Sequence, residues 1–176
     1  MERVIPEKLS RILVPVDFSE QSLAALRYAT FLAAPFQAQV DVLHVWEVPH
    51  FVGMDLMLQM PNVDSEPLEQ YVHDQVAQEM NDFLAAGHLR EEVHVNQRLE
   101  AGDVDSVILQ IAKSERYDLI VMGTHGRTGL AHLLMGSVAE NVVRHAPCPV
   151  LTVRQPGATE QDTRPVPAEP PGIHTA

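Results

Sequence analysis

Apolar positions along the chain change their period several times, and each change marks an element. Residues 11–17 (RILVPVD) form an almost unbroken apolar run of strand length, as in a strand covered on both faces. Pro15 would lose a ladder bond in mid-strand, but it stands near the C-terminal end of the run. The period then lengthens. Leu23, Leu26, Ala29 and Ala33 share one helical face, and Pro35 ends that helix at about Ala34. Asp17, with Glu20 three residues on, can cap this helix, and Ser19 is an equal candidate. Residues 40–46 (VDVLHVW) read as a second strand. Leu68, Val72, Val76, Met80 and Phe83 recur at helical spacing, which predicts a helix over 68–89 with Gly87 near its end. Residues 93–99 alternate as a half-exposed strand does. Gly102 and Asp103 make a turn and cap before a helix marked by Val104, Val107, Ile108, Ile111 and Ala112. Residues 117–123 read as a fourth strand, 137–145 as a last helix, and 149–154 as a fifth strand.

Strands alternating with helices at these lengths imply a parallel sheet with helices on both faces. Residues 1–154 make one domain. Residues 155–176 hold five of the chain's thirteen prolines and few apolar side chains, and are expected to be a disordered tail. Residues 47–67 carry Met54, Met57 and Met60 between Pro49, Pro61 and Pro67. They read as a flap or short helix over a site, or equally as an ordinary surface loop.

Composition narrows the classes of function. The net charge of −12 argues against general nucleic-acid binding, which uses a basic face. It also requires that any anionic ligand be held by a local positive site. The single cysteine, Cys148, excludes an internal disulfide and fits a reducing compartment. It reads as a small buried residue entering the last strand. The first ten residues, MERVIPEKLS, lack the apolar stretch of a secretory leader, and no run approaches a membrane span. A cytoplasmic protein without membrane contact is expected. The histidines, His44, His73, His88, His94, His132 and His145 among them, show no metal-binding pair on one helix. Asp118 and Glu140 read as solvated or capping carboxylates.

The chemistry concentrates in residues 122–137 (MGTHGRTGLAHLLMGS), between the fourth strand and the last helix. Gly123, Gly126 and Gly129, the hydroxyls of Thr124 and Thr128, and the cations His125 and Arg127 precede Gly136 and Ser137 at the helix start. A glycine-rich turn ending on a helix N-terminus suits phosphate: the amides there are free, the dipole favours an anion, and glycine permits close approach. Arg127 adds a fork matched to phosphate oxygens. The loop is neither a Walker A loop nor a dinucleotide fingerprint.

Its spacing, Gly123-x2-Gly126-x9-Gly136-Ser137, resembles the G-x2-G-x9-G-[ST] signature of the ATP-binding branch of the universal stress protein family. ILVPVDFS at 12–19, LHV at 43–45 and PCPVLTVR at 147–154 are similar to further marks of that family, and the resemblance covers about residues 9–154. It implies an open five-stranded parallel sheet of order 3-2-1-4-5, of Rossmann-like type. In such a sheet a ligand sits where the strand order reverses, between strands 1 and 4. The resemblance further implies Pro15, Val16 and Asp17 near the adenosine, and the Val45 backbone on the adenine edge. It places the loop Gly123, Thr124, His125, Gly126, Arg127, Thr128 and Gly129, with Gly136, Ser137 and Val138, around the phosphates. It implies ATP as ligand, with Mg²⁺ held mainly by the phosphates and water. It also implies a homodimer through the last strand, Pro149 to Arg154, whose apolar edge carries no charge before Arg154.

A binding protein that signals nucleotide state to a protein partner is thus expected. A slow ATPase is the alternative, since no general base stands out beside the glycine loop. So is a stress protein that works through partners without nucleotide. An adenylate-forming enzyme is rejected, because S-G-G-x-D-[ST] is absent where the chain reads PVDFSEQS.

Overall fold

The computed structural model describes residues 8–46, 68–124 and 135–154, the side chains of 68–72 excepted. Residues 47–67, the loop 125–134 and the tail 155–176 lie outside the described set, and with them His125, Gly126, Arg127, Thr128 and Gly129.

The strands are β1 (Arg11–Pro15), β2 (Gln39–Trp46), β3 (Val95–Ala101), β4 (Leu119–Gly123) and β5 (Val150–Val153). The helices are α1 (Glu20–Ala33), α2 (Leu68–Ala86), α3 (Val104–Ser114) and α4 (Ser137–His145). All pairings are parallel and the sheet order is β3-β2-β1-β4-β5. This is the expected order. β1 is central because its run is apolar on both faces. Ile12 and Val14 pack with Ala25, Leu26 and Ala29 of α1 and with Met80 and Phe83 of α2. Leu13 faces the other way, into Ile108, Ile111 and Ala112 of α3 and Ala139 and Val142 of α4. The period-2 alternation of strand side chains thus builds two cores from one sheet.

The boundaries depart from expectation in instructive places. β1 ends at Pro15, two residues before Asp17, because proline cannot donate to the next rung. α2 stops at Ala86 rather than near residue 89. β3 begins at Val95 and runs to Ala101. Pro35 does not end the helical path outright: a 3-10 turn, Ala34–Phe36, follows α1. Cys148 is half-buried rather than buried. Asp118 is half-buried and does not cap a helix. Its carboxylate accepts from the amides of Ser10 (2.8 Å) and Arg11 (2.9 Å), and so ties the start of β1 to β4. Among the described residues no helix is long and apolar enough to cross a membrane.

Candidate functional site

The order reverses between β1 and β4, and both strands end in one cavity of about 260 Å³. Pro15, Val16, Asp17, Val45, Gly123, Thr124, Gly136, Ser137 and Val138 all line it. Every described member of the expected set therefore meets in a single crevice. Ser22, His44, Val104, Ile108, Met122 and Ala139 complete the described walls. None of these six stood out as a nucleotide contact in the sequence.

The anionic end is built at α4. Gly136 occupies its N-cap position in extended backbone (φ −74°, ψ 157°) and supplies no side chain to cap the helix. By contrast, Ser19 caps α1 through the Ser22 amide (3.2 Å), and Asp103 caps α3 through the Ser106 amide (3.3 Å). The first bond of α4 runs from the Glu140 amide to the Gly136 carbonyl (2.9 Å). The amides of Ser137, Val138 and Ala139 are thus the donors an α-helix leaves unpaired at its start. They lie against the cavity, where the helix dipole adds about half a positive charge. One expected donor is already used. The Gly136 amide gives its proton to the Thr124 carbonyl (2.8 Å), which fastens the start of α4 to the end of β4. Thr124 is buried, its amide bonds the Val153 carbonyl (3.2 Å), and its hydroxyl reaches Gln21 (3.5 Å).

At the β1 end, Ser19 is the helix cap and Asp17 is not. Asp17 Oδ1 accepts from the Ser19 amide (3.2 Å) and the Ser19 hydroxyl (2.6 Å). The short loop after β1 thereby holds the Asp17 carboxylate at the cavity wall, the acidic side chain among the described lining residues.

Val45 presents a backbone edge. The Leu43 carbonyl bonds the Val16 amide on the β1 side (2.8 Å), whereas the Trp46 carbonyl bonds the Gly102 amide on the β3 side (3.0 Å). Alternate residues of a strand turn their backbone groups to opposite neighbours. Val45 therefore turns its N–H and C=O toward β1. The β1–β2 ladder stops at Pro15↔Leu43, so this adjacent donor and acceptor face the space β1 has left. Val16, Val45, Val104, Ile108 and Met122 make the surrounding wall apolar.

The switch point of this doubly wound α/β sheet thus carries a helix N-terminus with no side-chain cap from Gly136, an arrangement that suits an anion. Comparison with known proteins gives the family. The model of the universal stress protein family matches residues 8–154. Universal stress protein MJ0531 of Methanocaldococcus jannaschii is 34% identical over 149 residues, covering 83% of this chain and 82% of its own. The chain belongs to the universal stress protein family. The solved structure of universal stress protein UspA from Lactobacillus plantarum is 26% identical, with a TM-score of 0.70, and covers 85% of this chain and 100% of that one. A universal stress protein from Archaeoglobus fulgidus solved in complex with dAMP shares the fold (TM-score 0.53, 21% identity, 85% of this chain and 99% of that one).

Proposed function

We propose that this protein binds ATP in the crevice between β1 and β4 and works as a nucleotide-dependent stress-response dimer. The observation that carries the reading is the meeting of two complementary ends in one cavity. The helix-start amides of Ser137, Val138 and Ala139 form one, and the apolar wall with the Val45 backbone edge forms the other. Phosphate suits the first, because amides and dipole both favour negative charge. A flat base suits the second. An N–H beside a C=O on one strand edge complements the donor and acceptor edge of adenine, and a guanine edge would set like against like. Asp17, on the wall of the same cavity, would meet the ribose. The loop residues His125, Gly126, Arg127, Thr128 and Gly129 would close over the β- and γ-phosphates, with Arg127 as their cationic partner.

The net charge of −12 makes this local arrangement necessary, since the overall field repels a nucleotide. Mg²⁺ would enter with the phosphates, coordinated by their oxygens and water. Among the described residues no group of three or more His, Cys, Asp or Glu side chains is placed to hold a metal by itself. Asp17, the acidic side chain of the described wall, is occupied by Ser19 and is not poised to activate water. This favours binding over rapid hydrolysis. Among the described residues β5 pairs only with β4, and its half-exposed VLTV edge supports pairing with the same strand of a second copy.

Titration of Mg·ATP into purified protein and two variants tests the placement. Gly136 has ordinary extended dihedrals, so Gly136→Val keeps an allowed backbone while crowding the approach to the α4 amides. Its affinity should fall at least tenfold, and that of Ser137→Ala about threefold to tenfold. Unchanged affinity in both would show that the phosphates lie elsewhere.

A further inference from the structure

One lining residue performs a task that the binding scheme above does not use. His44 lies at the end of β2, and its Nδ1 stands 2.8 Å from the Val16 carbonyl oxygen. A carbonyl can only accept, so Nδ1 carries the proton and donates. The bond falls where a further rung of the β1–β2 ladder would have formed had β1 continued past Pro15. The imidazole also stacks on the ring of Phe18, with centroids 4.2 Å apart and planes 22° from parallel. Phe18 in turn meets Phe83 of α2 edge-on at 5.5 Å. Phe18 has a φ of +63°, a left-handed conformation that a bulky side chain adopts only when its surroundings impose it.

From these contacts we infer that His44 is a positioning residue of the crevice. Its ring clamps both ends of the Val16-Asp17-Phe18 corner, by a hydrogen bond at Val16 and by stacking at Phe18. Asp17 lies between the two clamped residues, and the Val45 backbone edge directly follows His44. One side chain therefore fixes the spacing between the carboxylate and the strand edge. The stack through Phe18 to Phe83 couples that spacing to α2. The left-handed turn at Phe18 is what brings its ring back over His44, so the strain and the stack belong to one device. The ligand part of this inference rests on the nucleotide reading of the crevice.

Two substitutions separate the contacts. His44→Phe keeps a ring on Phe18 and removes the donor to Val16. His44→Asn keeps a donor near the Nδ1 position and removes the ring. Three measurements on the whole protein decide the matter. Nitrogen-15 NMR of the ligand-free protein should show a proton on His44 Nδ1. Amide hydrogen exchange at residues 17–19 should speed up in both variants. Calorimetry should show Mg·ATP affinity weakened about threefold to tenfold in each, and further in His44→Ala, below the thermal midpoint of every variant. A ring protonated on Nε2 alone would overturn the clamp, because Nδ1 could not then donate. Wild-type affinity in all the variants would overturn the positioning role while leaving the nucleotide reading intact. A wild-type protein that binds no Mg·ATP would refute the nucleotide reading itself, and the tautomer and exchange data would still judge the clamp.

Discussion

Replacing Asp41 by alanine should be the most costly single change to the polar interior. Asp41 lies on β2 with its side chain 3% exposed. Its carboxylate accepts from Tyr117 Oη (2.5 Å), Gln39 Nε2 (2.7 Å), Asn96 Nδ2 (2.8 Å) and Arg11 Nη2 (3.0 Å). Arg11 continues the network to Glu115 (3.0 Å), which also pairs with Arg98. Removing the carboxylate takes a bond from four donors, of which Arg11 keeps its bonds to Glu115. Donors left unsatisfied in the interior cost about 1–3 kcal/mol each, so the loss is about 3–5 kcal/mol together. A domain of this size has roughly 5–15 kcal/mol in all, so the variant folds with a thermal midpoint lower by about 10 °C. The pH dependence identifies the cause. Burial pushes the Asp41 carboxyl up, but the bonds from Tyr117, Gln39, Asn96 and Arg11 outweigh it and hold the group below the ordinary aspartate range. The unfolded value is about 3.9, above the folded one. The stabilisation is thus complete at neutral pH and is lost as pH falls from about 4 through the folded value. Chemical denaturation followed by circular dichroism from pH 7 to pH 2 should show the gap between wild type and Asp41→Ala narrowing below about pH 4. A gap under about 1 kcal/mol at pH 7, or one that does not narrow in acid, would refute the reasoning.

Three further outcomes are expected. Ser19→Ala removes both the α1 cap and the hydroxyl that holds Asp17, so urea denaturation should register a loss of about 1 kcal/mol. The same variant should bind Mg·ATP more weakly, which a cap with no part in the site would not cause. Thr152→Pro puts a residue without an amide proton into the β5 edge, and size-exclusion chromatography with light scattering should find a dimer for wild type and a monomer for the variant. Arg144→Ala removes an exposed i,i+4 partner of Glu140 and should change stability by less than about 0.5 kcal/mol.

The fold was legible because its signals are local. The apolar run at β1, the helical stripes of α1 and α3, and the amphipathic α4 announce themselves within a dozen residues. The α4 bounds, Ser137–His145, are those its pattern predicts. The sheet order came from family resemblance, and the paired strands bear it out. The motif also pointed to the end of the sheet where the cavity lies, since strand ends and helix starts follow directly from element order. What stayed hidden depends on register. Asp41 sits in an apolar run, and nothing nearby shows that Arg11, Asn96 and Tyr117 converge on it across three strands. His44 looked like one histidine among several. Only the end of β1 at Pro15, which leaves the Val16 carbonyl to be satisfied, gives its ring a task. Asp17 and Ser19 compete for one cap on equal chemical terms, and the path of the loop decides for Ser19. Ser22, Val104 with Ile108, Met122 and Ala139 reach the crevice from four separate elements, a meeting that no spacing encodes.

The most direct test of the central proposal is to titrate the wild-type protein with Mg·ATP by calorimetry. Nucleotide released from denatured protein, purified with none added, is identified in parallel by mass spectrometry. The expected result is saturable binding of one adenine nucleotide per chain, with adenine nucleotide in the released fraction and little conversion of ATP to ADP over time. No heat up to millimolar Mg·ATP, and no adenine nucleotide released, would contradict the proposal and leave a universal stress protein that works through its partners alone.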